Sequence, residues 1–298
     1  MLSFEHVSKF VLSDISLHIP AGVVVGVIGV SGSGKTTLLR LACGLLQCEQ
    51  GSVRTFLVNP VRYRRQIAPD IRVFFSEVSV FPEDSTILYE FQRLGRIYRM
   101  DEDEFKKTYR YLSGLLQFGA YERIQIRQLS LGQRRRAELA TVLLGKARLI
   151  LLDEPTSGLD EQARKVFREQ LKRKKESGTS VLLASHNMAE TEQLCDRIVL
   201  LDGGRLLYYG EEDRLLRKYA PVHELEILFQ GRLPDMEDLP LLRYSIAQNR
   251  MRIRYHSDII STAELVSHLM RRTAVVQINI AGPELEDVVL CRKEGMKQ

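Results

Sequence analysis

Long apolar runs are missing from this chain. No stretch approaches the roughly 18 to 20 apolar residues that carry a helix across a bilayer, so no membrane-spanning segment is expected. Cysteine is sparse: Cys43, Cys48, Cys195 and Cys291 are scattered and form no CxxC pair. That excludes a thiolate metal site and a disulfide framework, and the four read as reduced core residues of a cytosolic protein. Glu5 and Asp14 interrupt the N-terminal stretch, so no signal peptide is expected. There is no internal repeat and no low-complexity segment. The charge surplus is only +5 over 298 residues. It is compatible with an anionic membrane surface and too diffuse for a nucleic-acid footprint.

What is present is an ordinary globular composition, 44% apolar, with length for one large core and a small second one. The pattern changes near residue 220. Long apolar strands and basic helices precede "RKYAPVHE"; alternating strands with one amphipathic helix follow it. The expected domains are 1–220 and 221–298.

The most informative stretch is "GVSGSGKTT", residues 29–37, which fits G-x-x-x-x-G-K-[ST] at Gly29, Gly34, Lys35 and Thr36. Glycines let a backbone wrap an anion, successive N–H groups point inward, and the next helix adds its positive end. A Gly/Ser surface loop is the bland alternative, and the flanks argue against it. "VVVGVI" at 23–28 reads as a buried parallel strand, and Leu38, Leu41, Ala42 and Leu45 follow at helical spacing. The candidate nucleotide-binding residues are Gly29, Ser31, Gly32, Ser33, Gly34, Lys35, Thr36 and Thr37. Lys35 would reach the β- and γ-phosphates, and the Thr36 hydroxyl would hold Mg²⁺.

"ARLILLDEPTSGLD", residues 147–160, reads as a central strand with Asp153 and Glu154 at its carboxyl end, where sites form in open parallel sheets. Asp153 is placed to bind Mg²⁺ through water, and Glu154 to act as base toward an attacking water. "QLSLGQRRRAELA" puts Ser130 and Gly132 just before a helix. There a hydroxyl and bare N–H groups could hold an anion, although a plain helix cap explains Ser130 equally well. "VLLASHNMAE" supplies another strand, ending in His186.

Together these residues resemble the ATP-binding subunit of an ABC transporter, over about residues 1–218. Gly29–Thr36 are similar to Walker A and Leu149–Asp153 to Walker B, with Glu154 at the catalytic carboxylate. Ser157–Asp160 resemble the D-loop, with Asp160 its acid, and His186 resembles the H-loop histidine. Leu129–Gln133 resemble the LSGGQ signature, whose Ser130, Gly132 and Gln133 would face the ATP of a partner subunit. The implied fold is α/β: a P-loop cassette with a mostly parallel core sheet, an antiparallel β subdomain and a helical signature subdomain, followed by a small C-terminal α/β domain. The implied function is ATP hydrolysis, with ATP and Mg²⁺, by two head-to-tail cassettes of a homodimer or mixed pair. These would drive a separately encoded permease, of exporter type. The implied location is cytoplasmic, on the inner face of the membrane through that permease, with no nucleic-acid partner. The rivals are a soluble ABC ATPase and an ATP-switched regulatory module.

Three departures stand out. The signature reads LSLGQ, and Leu131 can present the same backbone if its φ is negative. The family's Q-loop glutamine falls at Ser76 or Glu77. The segment before the P-loop is short, leaving Phe10 as the match for the aromatic that stacks on adenine, with a core role as the alternative. Arg134–Arg136 open a helix, against its dipole, and read as a solvated or partner-facing surface; Lys172–Lys175 close one, where the dipole favours them. In the tail, "HELEILFQG", "RMRIRYH" and "VVQINI" read as strands, "STAELVSHLMRR" as a helix, and "PELEDVVL" as a helix start. The arrangement resembles the accessory domain on drug- and polysaccharide-type exporter cassettes; a structural cap or homodimer contact is the alternative.

Overall fold

The chain opens on a hairpin, β1 (Leu2–Lys9) and β2 (Leu12–Ile19), followed by β3 (Val24–Ile28), α1 (Lys35–Ala42), β4 (Gln50–Thr55), the single-turn α2 (Arg64–Ile67) and β5 (Ile71–Phe75). Three helices come next: α3 (Ile87–Ile97), α4 (Glu102–Leu115) and α5 (Leu131–Leu143). Then strands and helices alternate as β6 (Leu149–Asp153), α6 (Glu161–Glu176), β7 (Ser180–Ala184), α7 (Met188–Leu194), β8 (Arg197–Asp202) and β9 (Arg205–Gly210). The computed structural model describes residues 1–231, 236 and 239–289. It divides into two compact units, Met1–Glu211 and Glu212–Gln298. The helix α8 (Glu212–Tyr219) thus falls in the second unit, whereas the composition change near residue 220 lies just after it.

In the first unit the strands form a six-stranded sheet, ordered β5-β6-β7-β3-β8-β9, and a three-stranded antiparallel sheet, β2-β1-β4. The larger sheet is parallel except for β9, which pairs antiparallel with β8. Its central strands are apolar on both faces because both faces are covered. Leu149, Leu151, Leu182 and Val25 enter the core shared with α1 and the antiparallel sheet. Ile150, Leu152, Val181 and Leu183 enter the opposite core, with Phe91, Leu112, Leu139 and Phe167 of α3 to α6. Each of these helices starts on a side-chain oxygen that accepts from the first turn: Thr86, Asp101, Ser130 and Asp160. Leu45 does not continue the apolar face of α1. The helix ends at Ala42, the Leu45 N–H turns back to Arg40 O (2.9 Å), and the side chain is 41% exposed.

The second unit contains α8, then β10 (Val222–Gln230), β11 (Leu241–Ala247), β12 (Arg250–His256), α9 (Thr262–Arg272) and β13 (Ala274–Ala281). Its sheet is antiparallel, ordered β11-β12-β10-β13. Leu265 and Leu269 of α9 pack on Leu225, Ile227, Met251, Ile253 and Tyr255 of the two central strands. Ser261 caps α9 through a reciprocal bond with Glu264. A helical segment, 285–289, follows β13; the end of "PELEDVVL" at Leu290, and Cys291, lie outside the described residues. Of the other cysteines, Cys43 is buried while Cys48 and Cys195 are only partly so.

Candidate functional site

In the six-stranded sheet β6, β7 and β3 are neighbours, and their carboxyl ends open on one edge. Residues 29–34 follow β3, Asp153 ends β6 with Glu154 directly after it, and His186 stands two residues past β7, so strands far apart in sequence deliver one cluster.

The loop after β3 is sterically committed to glycine at its two ends. At Gly29 (φ 150) a Cβ would fall 2.1 Å from Leu201 O, and at Gly34 (φ 100) one would fall 2.4 Å from Leu12 Cδ2. Lys35 Nζ donates to Gly29 O (2.9 Å) and Val30 O (3.0 Å), which seats the ammonium within the loop. Burial pulls its pKa down, against the upward pull of Glu154 and Asp153. Ser33 Oγ is buried beside the loop with no hydrogen-bond partner. Such an orphan, with a fixed ammonium at a helix start, fits an anion's oxygens. Ser31 and Gly32 are exposed, and Thr36 and Thr37 are half-buried in the first turn of α1.

Thr36 Oγ1 donates to Asp153 Oδ2 at 2.7 Å. Burial pushes the Asp153 carboxyl upward; the Thr36 hydrogen bond opposes this, and nearby Glu77 adds to it. Among the described residues no cluster of three or more His, Cys, Asp or Glu could cage a metal. A hydroxyl beside one carboxylate nevertheless fits Mg²⁺, which keeps waters and takes substrate phosphates for its remaining positions.

Glu154 adopts φ 50, a left-handed backbone that costs a non-glycine residue about 1–2 kcal/mol. Its N–H donates to Ala184 O (2.9 Å), which ties the turn to β7. Its Oε2 lies 2.7 Å from His186 Nδ1. Below this pair Thr156 Oγ1 donates to Glu190 Oε2 (2.7 Å), and burial pushes that carboxyl upward. The Glu190 N–H donates to Asn187 Oδ1 (3.1 Å) in the cap of α7, so Glu190 braces the backbone right after His186. Sequence reasoning missed Glu190; the Asn187-x-x-Glu190 spacing was the available signal.

Ser130 caps α5 in a reciprocal box: its hydroxyl accepts from Gln133 N (3.2 Å), and Gln133 Oε1 accepts from Ser130 N (2.9 Å). Leu131 starts the helix, is absent from the positive-φ residues, and is 68% exposed. Asp160 accepts from Ala163 N at 2.8 Å as the cap of α6, and Arg136 pairs with its other oxygen. Among the described residues no hydrogen bond joins Ser130, Gly132 or Gln133 to the Lys35–Asp153–Glu154–His186 cluster. Phe10 is not a core residue. It stands at the β1–β2 turn with φ 53, is 69% exposed, and lies under Lys9 Nζ, 4.6 Å from its ring centroid.

The arginine run is the main correction. Of the run read as a solvated or partner-facing surface, Arg134 and Arg135 turn inward onto a buried carboxylate, and Arg136 pairs with Asp160. Arg134 Nε donates to Glu138 Oε1 (3.1 Å) and Ser79 Oγ (3.1 Å), and Arg135 Nη1 to Glu138 Oε2 (3.3 Å). Glu138 is 1% exposed, so the two guanidiniums neutralise a buried charge. Arg135 also donates to Ser76 O, and Ser76 N donates to Asp153 O (3.2 Å). The backbone of Ser76, through its N–H and its carbonyl, thus bridges the end of β6 to α5. The Glu77 carboxylate pairs with Arg40 at 3.4 Å, and both charges act on Asp153. The spacing of Glu138, three and four residues past Arg135 and Arg134, was the signal for this network. Lys174, in the last turn of α6, is half-buried and donates to Gly145 O.

The ABC transporter family matches residues 12–157. The ABC transporter ATP-binding protein NatA of Bacillus subtilis is 30% identical over 220 residues, covering 74% of this chain and 89% of that protein. The Nod factor export ATP-binding protein I of Bradyrhizobium diazoefficiens is 30% identical over 293 residues, covering 95% of this chain and 91% of that protein. A solved ATP-binding subunit of an ABC transporter superposes with a TM-score of 0.69 at 23% identity, over 73% of this chain and 92% of its own. The dimeric bacterial cassette MJ0796 superposes with a TM-score of 0.63 at 24% identity, over 71% of this chain and 98% of its own. With the fold and sequence in agreement, this chain belongs to the ABC transporter family, as one of its ATP-hydrolysing, ATP- and Mg²⁺-binding subunits.

Proposed function

We propose that this subunit drives a separately encoded membrane permease of exporter type, and that two cassettes close head to tail on two ATP molecules. The observation that carries the reading is the split site. Lys35, Thr36, Asp153, Glu154 and His186 converge at one sheet edge, while Ser130 and Gly132, the residues suited to the γ-phosphate, share no hydrogen bond with them. A second cassette would supply that missing half. Likeness to an export ATP-binding protein over 95% of this chain, tail included, supports the exporter reading. Among the described residues no helix is long and apolar enough to cross a membrane, which fits a permease on another chain. A cleft of about 740 Å³ beside α3 and α4, lined by Leu88, Gly95, Phe105, Tyr109 and Glu122, offers such a partner a seat.

Lys35 binds the β- and γ-phosphates, with loop N–H groups around them. Thr36 and Asp153 would hold Mg²⁺, which supplies neutralisation of phosphate charge when bound. Phe10 presents an exposed ring on which adenine stacks. Glu154, held by its backbone turn, takes the proton of the attacking water. His186, 2.7 Å away, orients that carboxylate and contacts the γ-phosphate. We also propose that residues 1–220 form the catalytic cassette and 221–298 an accessory domain. Co-purification from membranes tests the reading: a polytopic protein should accompany the chain and raise its ATPase rate. Recovery of the chain alone, with full activity, would count against coupling to a permease.

A further inference from the structure

We propose that the second unit carries a docking surface for a second copy of this chain, formed by β13 pairing antiparallel with β13 of the copy about a two-fold axis at Asn279. The sheet is ordered β11-β12-β10-β13, so β11 and β13 are its edges among the described residues. Unpaired edge N–H and C=O groups accept another strand unless something guards them. On β11, Arg243 faces Arg254, and a register shift falls between Leu241 and Arg243. Charge and irregularity both discourage a further strand there. β13 reads AVVQINIA and holds no charged residue. Its register shift lies at its start, where Phe229 meets Val275, and residues 277–281 run regularly along β10.

The side chains of β13 also lack cover. Ile278 and Ile280 stand opposite Ile227 and Leu225, on the face that α9 buries at the sheet's centre. Yet Ile278 is 36% and Ile280 50% exposed. Gln277 and Asn279 lie on the other face and are exposed.

This pattern is self-complementary. In an antiparallel pair, residues opposite one another share a face. Centred on Asn279, the pairing sets Ile278 against Ile280 of the second copy, and Ile280 against its Ile278. Asn279 meets its own counterpart, and each amide has both a donor and an acceptor for the other. Gln277 meets Ala281 of the second copy. Four isoleucines join in one strip, and no charge is desolvated. Contact between β13 and β11 would leave an edge open at each end and propagate; β13 with β13 closes. The chain's own last segment, 290–298, reads LCRKEGMKQ, with charges at Arg292, Lys293, Glu294 and Lys297. Its composition suits an apolar strip poorly, so the second copy is the better occupant. The pairing is independent of the ATP-driven closure proposed above, and either can hold without the other.

The test uses the full chain carrying Lys35→Ala, without nucleotide, so that cassette closure is blocked. Sedimentation should show a concentration-dependent dimer. Asn279→Cys should link to itself under mild oxidation, far above the background of the parent cysteines, while Leu242→Cys on β11 should not. Asn279→Asp should weaken the dimer several-fold at neutral pH, because only a residue on the axis brings its own charge against itself. Asn279→Ser should leave it nearly unchanged. A monomer at every concentration overturns the proposal. So does a dimer that Asn279→Cys fails to link and Asn279→Asp fails to weaken, or one that Leu242→Cys links instead.

Discussion

Glu154 Oε2 lies 2.7 Å from His186 Nδ1, one residue directly after β6 and the other two past β7. The pair joins the ends of two neighbouring strands, where we propose the attacking water is bound. Glu154→Gln keeps the shape and loses the carboxylate proposed as the base. Turnover should fall about 10²- to 10⁴-fold with ATP binding intact. ATP should then hold two cassettes together, since hydrolysis no longer releases them. Sedimentation with ATP and Mg²⁺, in an Asn279→Asp background that weakens pairing through the tail, should show a dimer whose formation depends on ATP. Adding Ser130→Arg should abolish it. Wild-type turnover in Glu154→Gln would place the base elsewhere.

Lys35→Ala should abolish tight ATP binding. Its Nζ, fixed by Gly29 O and Val30 O, is the cation seated within the loop. Calorimetry checks this, and unchanged affinity would refute the phosphate role.

Glu138→Ala should destabilise the fold by about 3 to 5 kcal/mol, the range for breaking a buried ion pair. Arg134 and Arg135 would be left facing each other without the carboxylate they share. Glu102→Ala, which removes only the exposed pair with Lys106, should leave stability unchanged. Denaturant titration of the two variants gives the contrast.

Ser76→Gln should raise basal turnover. The Ser76 N–H donates to Asp153 O and its carbonyl accepts from Arg135, so the residue adjoins the end of β6. A longer amide there would extend toward the Mg²⁺ and water proposed at Asp153 and Glu154. If Ser76→Gln and Glu77→Gln both leave turnover unchanged, this segment does not limit the rate.

Lys174 gives a pH signature. Burial pulls its pKa down to about 8 from 10.5. The folded chain therefore releases this proton near 8, and the unfolded chain near 10.5. Between these values the unfolded state holds more protons, so this group's contribution to stability rises with pH across that window. The Tm of Lys174→Met should lack that rise. Parallel pH curves for the two proteins would show that Lys174 titrates alike folded and unfolded.

The core strands and the phosphate loop were legible because their signals are local. An apolar run such as LILL before Asp153, or GSGKTT after VVGVI, fixes both element and position. Pairwise burial was not legible. Arg134–Arg136 read as a surface because a charge run usually is one; only the fold brings Ser76 and Ser79 against them and buries Glu138. Phe10 stayed ambiguous for the same reason, since one aromatic in a turn carries no period. Leu45 fitted the helical spacing of α1, but the helix had already ended at Ala42. β11 escaped notice because LLRYSIA barely alternates, and its pairing with β12 is irregular.

The reciprocal cap at Ser130 has a kinetic consequence. Its hydroxyl oxygen already accepts from Gln133, and its N–H already serves Gln133 Oε1. The helix start is thus complete within the chain itself. Meeting an ATP-loaded surface then requires no local folding at this position. The speed of encounter is left to diffusion and long-range charge, and it should slow with added salt only as far as charge steers it.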